Sequence, residues 1–166
     1  MQRPLLLLDI DGVISLFGFD PARPPVGRFV LVDGIAHYLS AGVGEHLRRL
    51  GGAFELAWCS GWEEKAEEYL PEALELPAGT RYLTFEPEAQ PAGRHWKLAS
   101  IDRYASSERA LAWVDDAHDE SCLEWAVTRP GPTLLVATDP AVGLTGGHVA
   151  ELMGWAAKLG AAEGAR

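Results

Sequence analysis

Asp9 and Asp11 stand one residue apart, directly behind the run Leu5-Leu-Leu-Leu8, and the chain then turns at Gly12. Carboxylates so placed can attack phosphorus, trade a proton with an alcohol or hold a hard cation. Three further groups share that chemistry. Ser60-Gly61 ends the apolar stretch Phe54–Cys59, Lys97 opens a helix-like stretch, and Asp115-Asp116 ends Leu111-Ala-Trp-Val114. Each also has a plain structural reading. Asp-x-Asp-Gly makes turns, Ser60 can cap a helix, and one acid of the 115–116 pair can do the same.

Read together, these residues describe more than turns. Clustered ionised carboxylates repel one another and raise each other's pKa unless a cation intervenes. All-oxygen ligands with water and phosphate favour Mg²⁺. A hydroxyl and free N–H groups at Ser60-Gly61 suit phosphate oxygens. Lys97 sits where a helix dipole disfavours a cation, which an anionic ligand would offset. The set Asp9, Asp11, Ser60, Gly61, Lys97, Asp115 and Asp116 fits a metal-assisted phosphoryl-transfer site.

The elements that must gather these residues alternate along the chain. Strands are expected at Leu5–Asp9, Phe54–Cys59, Arg81–Phe85, Ala110–Val114 and Thr133–Ala137, each short, apolar and bounded by turn residues or charge. Helices are expected at Val43–Leu50, Glu63–Leu70, Trp96–Tyr104, Glu120–Val127 and Gly147–Leu159. The alternation predicts an α/β, three-layer Rossmann-like fold: a parallel sheet of about five strands with helices on both faces. Strand-end residues would then meet in the crevice beyond the sheet's carboxyl edge. Residues 15–42 break the rhythm with Pro21, Pro24 and Pro25, followed by β-prone runs around Asp33-Gly34, the signature of a small hairpin flap. One domain over residues 1–160 is expected, with 161–166 a frayed tail.

Composition bounds the partners. The chain has 166 residues, 48% apolar and 23% charged, with a net charge of −10. That balance disfavours nucleic acid and anionic membranes as main partners, unless Arg23, Arg28, Arg94 and Lys97 form a basic strip. The first leucine run is too short for a membrane span, and Cys59 and Cys122 read as buried free thiols, so a cytoplasmic setting is expected. Six tryptophans leave room for an apolar interface without specifying an oligomeric state.

With the four motifs in this order, the chain resembles the haloacid dehalogenase (HAD) superfamily of aspartate-nucleophile phosphatases over nearly its full length. The motifs are Asp9-Ile-Asp-Gly-Val13, Ser60 behind a strand, Lys97 at a helix start and Val114-Asp-Asp116. Phosphoacceptor receiver domains carry their acidic pair near the N-terminus, whereas here it comes last. The resemblance implies that Asp9 is the nucleophile and Asp11 the general acid and base, its carbonyl also meeting Mg²⁺. Ser60, Gly61 and Lys97 would hold the phosphoryl group, Asp115 and Asp116 would anchor Mg²⁺ directly or through water, and Asp119 would assist. An acid at position 11 implies phosphatase rather than dehalogenase or transferase chemistry. The family's usual specificity caps are missing, since the first insertion is only the hairpin and a Pro-rich loop joins Phe85 to Lys97, so an open site is expected.

The expected activity is therefore that of a Mg²⁺-dependent phosphomonoesterase. A catalytically silent binding domain and a nucleotide or polynucleotide-end phosphatase are the other readings. Trp62 is expected mainly in the core, with stacking on a substrate ring as the other role. The five histidines show no ligand spacing; His95 and His118 lie near the expected site mouth, where contact with substrate is one role and a solvated loop position the plainer one. Glu63, Glu64, Glu67 and Glu68 are read as a solvated helix face.

Overall fold

The computed structural model describes residues 2–86 and 91–164. Strand β1 (Leu5–Leu8) is central because its four leucines are apolar on both faces and wholly buried. It pairs in parallel with β5 (Glu55–Trp58) on one side and β7 (Leu111–Asp115) on the other. Edge strands β6 (Arg81–Tyr82) and β8 (Thr133–Ala137) complete a five-stranded parallel sheet of order β6-β5-β1-β7-β8.

Alternation along β1 divides the core. Leu6 and Leu8 face one cluster with α1 (Val43–Gly51), α2 (Lys65–Leu74) and α5 (Gly146–Gly164). Leu5 and Leu7 face the other with α3 (Leu98–Tyr104) and α4 (Glu120–Thr128). Burying each leucine contributes roughly 1.5–3 kcal/mol, so both faces hold β1 in register. The result is the α/β three-layer Rossmann-like arrangement that the alternation predicts.

The chain runs outward from β1 through β5 to β6, then returns to the other side for β7 and β8. The strand order therefore reverses between β1 and β7, the kind of switch point where open parallel sheets bind ligands. Between β1 and α1 lies the flap: β2 (Ser15–Leu16), β3 (Gly27–Val32) and β4 (Ile35–Ser40) in an antiparallel sheet of order β2-β4-β3. Asp33 and Gly34 turn the hairpin with φ of 51° and 80°, as two-residue primed turns require.

Several boundaries differ from expectation, each for a local reason. Helix α2 starts at Lys65 because residues 61–64 form a turn with Glu63 at φ 49°, and it continues past Leu70 with Pro71 inside it. Only Arg81 and Tyr82 of the 81–85 stretch pair as strand at this sheet edge. The stretch read as a frayed tail is helical through Gly164, where alanines offset the glycines. Residues 87–90, within the expected Pro-rich loop, lie outside the described residues. Cys59 and Cys122 are free and buried, as expected. No described helix is long and apolar enough to cross a membrane.

Candidate active site

Register alone brings the first acids together. Leu8 stands opposite Val114 on β7, so the next residues, Asp9 and Asp115, leave adjacent strands side by side. Leu8 also stands opposite Trp58 on β5, which places Ser60 two residues beyond on the other flank. The N–H of Asp9 donates to the carbonyl of Val114 at 3.0 Å and that of Cys59 to Leu8 at 2.7 Å, holding all three strand ends level.

Lys97, immediately before α3, enters this group from one face of the sheet. Its Nζ lies 3.0 Å from Asp9 Oδ1 and 2.6 Å from Asp115 Oδ2, and all three residues are buried. Both oxygens of Asp115 are engaged: Oδ2 also accepts from Trp113 Nε1 at 3.2 Å, and Oδ1 from the N–H of Ala117 at 3.0 Å. Asp116 accepts no N–H from another described residue. Carboxylate oxygens of Asp9, Asp115 and Asp116 come within 4.8 Å of one another, close enough to share one cation.

Electrostatics follow from this burial. Desolvation pushes the Asp9 pKa up to about 7; Lys97 pulls it down and Asp115 pushes it further up. Burial, then Asp115, raises Asp116 as well. Burial works against the charge on Lys97, but Asp9 and Asp115 outweigh it and leave its pKa raised. A cation binding here must displace a proton from Asp9 below about pH 7. Should Mg²⁺ bind here, its apparent affinity would rise between pH 6 and pH 8, measured by calorimetric titration of the parent; a pH-independent affinity would contradict a site that includes Asp9.

Gly12 makes room for Asp116. It has φ +81°, and a Cβ added there would lie 2.4 Å from Asp116 Cγ. Its carbonyl accepts from Thr138 Oγ1 at 2.8 Å. Gly12→Ala is expected to cost about 1–3 kcal/mol from the left-handed backbone alone, and to weaken Mg²⁺ binding by displacing Asp116. Thermal melting and metal titration would read the two effects separately.

Asp9, Asp11, Ser60, Gly61, Lys97, Asp115 and Asp116 line one cleft of about 330 Å³ with Phe17, His95, Trp96 and Ala117. All seven residues singled out from the sequence are thus brought together. Ser60 is buried and its Oγ accepts from the N–H of Trp62 at 3.3 Å, while its own hydroxyl hydrogen has no acceptor among the described residues. Asp119 stands apart from the acidic trio: it caps α4, accepting from the N–H of Cys122 and the hydroxyl of Ser121. Phe17 and Trp96, half exposed, form an aromatic rim.

Other expectations change. His95 and His118 are not solvated loop residues: both rings meet Trp113 edge-on, at 5.4 Å and 4.5 Å, and burial pushes the His118 pKa down to about 4. Glu63 and Glu67 turn inward, accepting from the N–H of Phe85 and from Trp58 Nε1. Glu64 and Glu68 are solvated as expected. Three of the four residues of the expected basic strip are not free among the described residues: Lys97 is buried, Arg94 pairs with Asp102, and Arg28 donates to the carbonyl of Ala73; Arg23 alone is exposed without a side-chain partner. Arg28 joins Arg48 in a groove between hairpin and α1, where both satisfy carbonyls at the C-terminus of α2, a structural role. Trp62 packs on the core as expected, yet its Nε1 also donates to Asp11 Oδ2 at 3.0 Å. His37, a histidine without ligand spacing, reaches the same carboxylate. Its position as an ionisable side chain within a largely apolar hairpin strand is the sequence signal for it.

Residues 5–149 match the family of HAD domains in Swiss Army Knife RNA repair proteins. The chain belongs to that family. HAD membership carries hydrolase chemistry in general. A crystal structure of a hypothetical protein from Xanthomonas campestris superposes with a TM-score of 0.47 at 14% identity, over 93% of this chain and 82% of that one. No curated protein matches.

Proposed function

We propose that this HAD domain is a Mg²⁺-dependent phosphomonoesterase working through a phosphorylated Asp9. The observation that carries the reading is the meeting of Asp9, Asp115 and Asp116 within 4.8 Å, with Lys97 at 3.0 Å from Asp9. The donor set fits the ion: every candidate donor is an oxygen, and the missing side chain at Gly12 lets Asp116 approach. Asp9 and Asp116 would hold Mg²⁺, with the carbonyl of Asp11. Asp115, both oxygens engaged, orients Lys97 and completes the charge around the ion. Bound Mg²⁺ would supply charge stabilisation to the transferring phosphoryl oxygens.

The chain's own groups divide the remaining work. Asp9 attacks phosphorus, and Asp11 protonates the leaving oxygen and then takes a proton from the water that frees Asp9. Ser60 offers its unsatisfied hydroxyl, and Gly61 its turn, to the phosphoryl oxygens. Lys97 binds the same oxygens and holds the Asp9 carboxylate for attack. The test is turnover of p-nitrophenyl phosphate with Mg²⁺ and with EDTA. Mg²⁺-dependent turnover supports the reading; inactivity across a broad phosphoester panel favours a silent binding domain.

A polynucleotide end as substrate is the second reading, favoured by the family's occurrence in RNA repair proteins. The exposed rings of Phe17 and Trp96 at the cleft suit base stacking. With a net charge of −10, and with Lys97 buried and Arg28 and Arg94 engaged, such binding would rest on stacking more than on phosphate contacts. Activity on a 3′- or 5′-phosphorylated oligonucleotide should then depend only weakly on salt; a steep salt slope would contradict this form of the reading.

A further inference from the structure

We propose that Trp62 and His37 are a pair of positioning residues for the Asp11 carboxyl, which makes the hairpin part of the leaving-group machinery; the inference rests on the phosphomonoesterase reading above. Asp11 lies past the end of β1 with its side chain 51% exposed, so nothing in the sheet fixes its rotamer. Trp62 does so by donating Nε1–H to Oδ2 at 3.0 Å. Oδ1 accepts no hydrogen bond from a described residue and is the oxygen left to carry the transferable proton.

His37 comes from β4. Its ring meets the Trp62 ring edge-on at 4.6 Å, and its Nδ1 lies 3.1 Å from Ser15 Oγ and 3.6 Å from Asp11 Oδ1. The ring therefore walls the indole and the free carboxyl oxygen on the hairpin side. Ser15 also accepts the N–H of Gly12 through its carbonyl at 2.7 Å, tying the loop that carries Asp11 to the same strand pair. At the hairpin tip, Asp33 is bonded by Lys65 and by Tyr69 Oη of α2. Trp62 precedes that same helix, so hairpin and indole are held by one element.

The chemistry specifies what this would do. A bond forms between an Asp9 carboxylate oxygen and phosphorus as the ester P–O bond breaks. The departing oxygen keeps the electron pair and takes the proton from Asp11, which becomes a carboxylate. An alkoxide needs that proton to leave, whereas an aryloxide such as p-nitrophenolate leaves without it. A misplaced Asp11 therefore penalises alkyl esters more than aryl esters. A residue serving only the fold would penalise both alike.

The test compares kcat/KM, which covers steps through departure of the alcohol, for glycerol 2-phosphate and p-nitrophenyl phosphate with Mg²⁺. Trp62→Phe keeps an aromatic ring in the packing but removes the N–H together with part of the indole volume, a packing loss that should affect both esters alike. Its loss on the alkyl ester is expected to exceed that on the aryl ester by about tenfold, with a smaller bias in the same direction for His37→Phe. Equal losses on both esters would overturn the proposal. A second reading needs no turnover: the Trp62 indole N–H resonance, identified by its loss in Trp62→Phe, should move upfield in Asp11→Ala. An unmoved resonance would overturn the pairing. Should the parent hydrolyse neither ester, the phosphomonoesterase reading fails, and the indole resonance still decides the contact.

Discussion

Replacing Asp9 by Asn is expected to lower kcat on aryl phosphates by at least about 10³-fold, because the amide is a poor nucleophile and no second group in the cleft can replace it. The folded state should survive, since Asp115 still pairs with Lys97 at 2.6 Å. Stability should move the other way from activity. The Asp9 pKa is raised from 3.8 to about 7, chiefly by burial, so between those values the folded chain keeps a proton that the unfolded chain has released. Stability from this group therefore falls as pH rises through that window, and Asn is free of the effect. In EDTA, the melting temperature of Asp9→Asn should exceed that of the parent by a margin that widens from pH 5 to pH 7.5. Mg²⁺ should close the gap by stabilising only the parent. A gap independent of pH would contradict the placement of Asp9.

Lys97→Met should produce the largest loss of stability of any site variant. Lys97 is the cation between two buried acids, and its ammonium is itself almost wholly enclosed. Removing one partner of such a group typically costs 3–5 kcal/mol, because the remaining charge stays buried without compensation. For a chain of this size that corresponds to a fall in melting temperature of about 6–20 °C. The backbone is not the cause, because Lys97 precedes α3 without a side-chain cap. With the ammonium gone, Asp9 loses the partner that lowers its pKa and holds its proton more tightly, so the loss should be deeper at pH 8 than at pH 5. Mg²⁺ should restore part of it by replacing one cation with another. Turnover should not return, because the group holding phosphate and nucleophile is missing. A melting temperature within about 2 °C of the parent would place Lys97 outside the acidic pair.

The sequence made the frame legible where physics is local. Four leucines ending on Asp9 announce a strand buried on both faces, and Asp33-Gly34 announces a primed turn, because each signal lies within a few residues. The meeting of Asp9 with Asp115 was also legible, since parallel neighbours with level strand ends leave few alternatives. What escaped depends on contacts between distant segments. Glu67 resembles any helical surface glutamate until Trp58 Nε1 and the N–H of Gly79 are found beside it. His95 and His118 look like loop residues until Trp113, buried in β7, presents a ring to both. The different surroundings of Asp115 and Asp116 are invisible in a bare Asp-Asp pair; they arise because Trp113 Nε1, Lys97 and the N–H of Ala117 all hydrogen-bond to the first and none to the second.

If Asp9 forms a bond to phosphorus beside a shared cation, a phosphoryl group must sit on it during turnover. Rapid acid quench of the parent with p-nitrophenyl phosphate and Mg²⁺, followed by peptide mass mapping, detects that group. It is expected on the peptide carrying Asp9, absent with EDTA and absent in Asp9→Asn. Turnover that leaves this peptide unmodified, or a phosphoryl group on another residue, would contradict attack by Asp9.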